Sequence, residues 1–138
     1  MKSFLSIIIF TGFFFACTSE ESSSRTDENL VQNLSSGVWE ISLFEVDRIN
    51  RSAEFEGIGF SFFPNGQVEA LRGTQLLGQG AWSSRTNSGR VEVRLAFPNT
   101  TLFSMLNADW YQVFIQNDRI QLRNSSPESD DFLILVKQ

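Results

Sequence analysis

Apolar and polar residues alternate with a period of two through most of the chain beyond residue 37. Successive side chains of a strand point to opposite faces, so this alternation marks one face for a core and the other for water. It is clearest in RVEVRLAF, residues 90–97, where Val91, Val93, Leu95 and Phe97 share one face and Glu92 and Arg94 take the other. Within residues 55–63, Ile58, Phe60 and Phe62 share a face, with Gly57 and Gly59 opposite, where glycine permits the bend of a barrel corner. Pro64-Asn65-Gly66 then marks a tight turn, so residues 67–72 are expected to pair antiparallel with the preceding strand. Residues 38–46, 79–84, 110–116, 119–124 and 132–137 carry the same signal and bring the expected strands to eight.

One segment departs from this period. Between the fifth and sixth strands, Leu102, Phe103, Met105 and Leu106 are spaced for a short helix starting near Asn99 or Thr100. The pattern predicts an all-β domain over residues 37–138, an eight-stranded antiparallel up-and-down barrel with that helix between strands five and six. Left open, such a meander exposes unpaired backbone at both edges; closure pairs the first strand with the last. A two-sheet sandwich is the alternative arrangement.

The first residues follow another pattern. Lys2 precedes a 13-residue apolar stretch, Phe4 to Ala16, shorter than the roughly 20 residues needed to span a bilayer as a helix. It ends in Phe14-Phe15-Ala16-Cys17, which resembles the lipobox of bacterial lipoproteins, whose cysteine becomes the first residue of the mature chain and carries acyl chains such as palmitate. The resemblance implies a signal peptide over residues 1–16, lipidation at Cys17 and an outer-membrane location. Several acyl chains, at about 0.8 kcal/mol per buried methylene, hold a protein at a membrane almost permanently. Residues 17–36 are too polar to offset their own chain entropy and read as a flexible tether. Within it, Thr26 or Asp27 could cap a helical turn that brings Leu30 and Leu34 to the domain. Glu20 and Glu21 resemble the acidic export signal of surface lipoproteins of Bacteroidota; a solvated acidic tether explains them equally.

Composition narrows the chemistry. There is no histidine and one cysteine, Cys17, so an imidazole base, a thiol nucleophile within the domain and an ordinary zinc site are all missing. Residues 37–138 carry nine Lys or Arg against twelve Asp or Glu, a net charge of −3 that disfavours nucleic acid. The carboxylate pairs Glu54/Glu56 and Glu45/Asp47 lie where solvated charge belongs, and Asp130-Asp131 reads as a polar loop rather than a calcium site. Neither catalysis nor a cofactor is expected.

Gly37-Val38-Trp39 opens the first strand as the G-x-W motif does in lipocalins. That resemblance implies that Trp39 closes one end of the barrel with a basic residue of the last strand, here Lys137, across its ring. The order Trp39, the Phe-rich strand, Pro64-Asn65-Gly66, Gly80-Ala81-Trp82 and Asn107-Ala108-Asp109-Trp110 is similar to the small lipocalin-like lipoproteins of Bacteroidota. It implies a lipid-anchored, monomeric binding protein. Phe60, Phe62, Trp82, Leu102, Phe103, Leu106, Trp110 and Tyr111 are the candidates to line the barrel mouth for a small hydrophobic or aromatic ligand. With about 13 residues per strand and turn, the same aromatics could instead fill a narrow barrel, leaving its outside to engage a protein partner.

Overall fold

The computed structural model of the chain describes residues 21–99 and 101–138. The signal residues 1–16, Cys17 and Glu20 lie outside the described residues. The elements in chain order are α1 (Glu21–Leu34), β1 (Val38–Val46), β2 (Ile49–Asn50), β3 (Gly59–Phe62), β4 (Gln67–Arg72), β5 (Gln75–Asn87), β6 (Arg90–Ala96), β7 (Ala108–Ile115), β8 (Arg119–Asn124) and β9 (Phe132–Lys137). From β3 to β9 each strand pairs antiparallel with the next, and β1 pairs with β3 on one side and β9 on the other. Trp39 lies opposite Lys137 and Glu45 opposite Phe132, which closes the ring. The fold is therefore the expected closed eight-stranded barrel, with β2 as an extra short strand hairpinned onto the end of β1.

Three departures from the expected elements have physical causes. Residues 55–63 are not one strand: Gly57 adopts φ +73°, which breaks extension, so Ser52–Phe55 forms a 3₁₀ turn and β3 begins only at Gly59. Phe55 and Ile58 still reach the core. The strand expected over 79–84 is the much longer β5, because Gly73 at φ +60° turns the chain early and Ser88-Gly89, both at positive φ, form a two-residue hairpin turn after it. The third concerns helices. The segment between β6 and β7 is a 3₁₀ helix, Leu102–Leu106, and the single α-helix among the described residues is α1.

α1 replaces part of the expected tether. Leu30, Val31 and Leu34 fall on one side of it, and Leu30 and Leu34 are fully buried in the barrel's core cluster. Full burial of a leucine contributes about 1.5–3 kcal/mol, which composition averaged over a polar segment conceals. The helix packs on β5 and β6, and the Leu34 carbonyl accepts the Trp39 indole N–H at 3.0 Å. It thus closes the barrel end where β1 begins.

Bulges supply the curvature. Opposite β9 the register of β1 steps between Ile41 and Leu43, leaving Ser42 as the extra residue and moving the inward positions from Trp39 and Ile41 to Phe44. Similar steps occur at Leu77 in β5 and Val113 in β7. Inside, Phe44, Phe55, Phe60, Phe97 and Phe103 pack edge-to-face or tilted, with centroids 5.4–6.4 Å apart. Two glycines of β5 make room for these rings: a Cβ on Gly78 would stand 2.7 Å from the Phe103 ring, and one on Gly80 2.7 Å from Phe97 and the Ala96 carbonyl.

Candidate binding site

Six of the eight mouth-lining candidates share the interior. Phe60, Phe62, Trp82, Phe103, Leu106 and Trp110 are each no more than 6% exposed. Their polar atoms are engaged as well: the Trp82 indole donates to the Phe63 carbonyl at 2.8 Å and the Trp110 indole to the Leu106 carbonyl at 2.9 Å. Phe62 and Trp82 meet edge-on at 5.6 Å. The 3₁₀ helix Leu102–Leu106 presses Phe103 and Leu106 into this core and leaves Leu102 exposed. Tyr111 follows inward Trp110 on β7 and so lies on the outside. At the α1 end, Lys137 Nζ lies 5.1 Å from the Trp39 ring centroid and donates to the Ser36 hydroxyl at 2.9 Å.

The acidic residues considered for chemistry are dispersed. Glu54 pairs with Arg51 at 3.0 Å. Glu56 and Glu40 border an open hollow of about 250 Å³ beside the Ser52–Phe55 turn, where Glu40 accepts the Gln138 amide. Asp130 pairs with Arg48 at 3.2 Å, and Asp131 accepts the Asp47 backbone N–H at 3.0 Å and the Asn124 amide at 3.2 Å. These bonds brace the β1–β2 turn, where Asp47 and Arg48 both adopt positive φ. Among the described residues no three acidic side chains gather as a metal site.

The register brings together a set of residues that the one-dimensional pattern had left as a solvated face. Across the outside of the sheet, Arg85 lies opposite Glu92, Glu92 opposite Tyr111, Tyr111 opposite Arg123 and Arg123 opposite Phe132. Glu92, though outward, is 5% exposed. Its carboxylate accepts from Arg85 at 2.9 Å, from the Ser125 hydroxyl at 3.1 Å and from the Asn87 amide at 3.4 Å. One residue pair along, Arg94 grips Asp109 through two bonds of 2.6 and 2.9 Å, and Arg85 reaches it at 3.6 Å. The hydrogen bond from Arg94 holds the Asp109 carboxyl below the usual range against a smaller opposing effect of burial, and the same bond raises Arg94.

Beside this row the 124–131 loop walls a groove of about 310 Å³ floored by Arg90, Tyr111 and Arg123. The Arg90 guanidinium stands 4.7 Å over the Tyr111 ring and that of Arg123 5.9 Å from the Phe132 ring. Odd–even parity along β7 was the one available signal for Tyr111: it shares a face with Asp109, not with Trp110.

No protein-family model matches the chain, and no curated protein matches it. Among solved structures it is similar to the crystal structure of a DUF4847 family protein from Bacteroides vulgatus ATCC 8482, with TM-score 0.52 and 14% identity over 79% of this chain and 99% of that one. At that identity the likeness concerns the fold alone, a closed eight-stranded antiparallel barrel.

Proposed function

We propose that this chain is a non-catalytic binding module of the bacterial cell envelope, held at the outer membrane through acyl chains on Cys17, and that it recognises its partner with the outside of a filled barrel. The observation that carries this reading is the interior aromatic stack, in which Phe103 closes over Phe55, Phe60 and Phe97 and occupies the space a ligand in the mouth would need. A calycin-like barrel suits binding, and binding with a solid core has to use surface. The groove and the hollow described above are both on that surface.

A hydrophobic ligand at the mouth is the second reading. Exposed Leu102 and half-buried Met105 on the same turn as Phe103 favour it, since an outward swing of this turn would open the interior to an apolar molecule. Intact mass of the protein purified from its own membranes, followed by solvent extraction, separates the two. The expected result is an acylated Cys17 and no stoichiometric small hydrophobe. A hydrophobe extracted one-to-one would replace the outer-face reading by the mouth, and an unmodified Cys17 would remove the anchor.

A further inference from the structure

We propose that the groove floored by Arg90, Tyr111 and Arg123 binds a small molecule bearing an oxyanion, carboxylate or phosphate; this rests on the outer-face reading above and gives it a ligand class. Arg48, Arg51, Arg85 and Arg94 each engage a carboxylate, whereas Arg90 and Arg123 form no ion pair among the described residues. Both instead lie against aromatic rings, Tyr111 and Phe132, and a guanidinium held face-on to a ring keeps its edge N–H groups free for bidentate contact with an oxyanion.

Three of the neighbouring acids are already paired: Glu92 with Arg85, Asp109 with Arg94, and Asp130, which also lines the groove, with Arg48; Asp131 keeps its charge and accepts the Asp47 N–H and the Asn124 amide. Two cationic groups therefore face a concave site on a chain whose formal net charge is −5. The wall is pre-set. Buried Glu92 accepts from Ser125, the Asn124 side chain accepts the Ser126 N–H at 2.9 Å, and the Ser129 hydroxyl oxygen accepts the Asp131 N–H at 3.1 Å. The Ser126 and Ser129 hydroxyls also line the groove, where each can donate to a bound anion. At about 310 Å³ the groove is at the small end of the usual range for small-molecule sites, about 300–1,000 Å³.

Titration of the purified full-length chain in detergent by calorimetry, with inorganic phosphate, glucuronate and neutral glucose as separate probes, tests this. At least one of the two anions is expected to bind while glucose does not. Binding should weaken at least tenfold in Arg90→Ala and in Arg123→Ala and be unchanged in Arg72→Ala on distant β4. Arg90→Gln, which keeps a planar amide over Tyr111, provides the same test should the alanine variant fail to fold. Phosphate binding without glucuronate assigns a phosphate group; the reverse assigns a carboxylate. Failure of both anions, or equal binding by the Arg90, Arg123 and Arg72 variants, overturns the anion site while leaving the filled-barrel reading standing. A one-to-one hydrophobe in the interior overturns the latter and leaves the titration result intact.

Discussion

The inside and outside of β6 to β8 are made of the same three strands, one residue out of step, and they are held together by different physics. Inward, Val93, Leu95, Trp110, Ile120 and Leu122 form a dry surface whose stabilisation scales with area and does not depend on any single partner. Outward, Glu92, Arg94, Asp109, Tyr111 and Arg123 depend on specific neighbours across the strands, because a charge on a sheet is stabilised only by what the register places opposite it. The interior specifies the fold, and the exterior holds the paired charges and the ring-stacked arginines.

Substitutions on the two faces should separate these roles. The largest effect is expected inside: Phe60→Ala empties the centre of the ring stack and should lower unfolding free energy by about 3–5 kcal/mol in urea titrations. Gly80→Ala tests the same packing from the opposite direction. Its new methyl has no room beside Phe97 and the Ala96 carbonyl, so a loss of about 1–3 kcal/mol is expected, and an unchanged midpoint would mean that the interior has slack. On the outside, Glu92→Ala removes the acceptor of Ser125 and Asn87, which solvent can reach; a cost of about 0.5–1.5 kcal/mol is expected, with the core aromatic signal in near-ultraviolet circular dichroism retained. Lys137→Ala removes the cation over Trp39 and should cost about 0.5–1 kcal/mol by thermal melting.

The smallest effect is a pH dependence. Asp109 has a depressed carboxyl in the folded state, so its contribution is fully present above the ordinary aspartate range and is lost as pH falls through its lower folded value. Comparison of urea midpoints between about pH 6 and pH 3 should show wild type losing slightly more stability than Asp109→Asn. Equal slopes would mean that the Arg94 grip contributes nothing measurable.

The barrel was legible because a period of two needs no partner to be read: Val91, Val93 and Leu95 announce an inward face without their neighbours. What escaped depended on relations between strands. Ser42, Leu77 and Val113 are bulged residues that only pairing reveals, and the Ser42 bulge exchanges which parity of β1 points inward. Gly57 was read as a bend inside a strand and proved to lie ahead of one, between the 3₁₀ turn and the start of β3. α1 was legible only as a single turn that could carry Leu30 and Leu34 to the domain, because these few apolar side chains are too few to mark a four-turn helix in a polar segment yet enough once a barrel end is there to receive them. The Arg85–Glu92–Tyr111–Arg123–Phe132 row joins residues from five strands, so no local window contains it.

The pairing of Trp39 with Lys137 also has a kinetic consequence. The first strand cannot be fully paired until the last has been made, so during synthesis β1 has only β2 and β3 as partners while the rest of the chain emerges. Closure is then a late step between residues far apart in sequence, and folding dominated by such non-local pairing is slow, on the order of milliseconds to seconds. Until it occurs, one edge of β1 stays open to other chains, which makes the last strand the gatekeeper against misassembly.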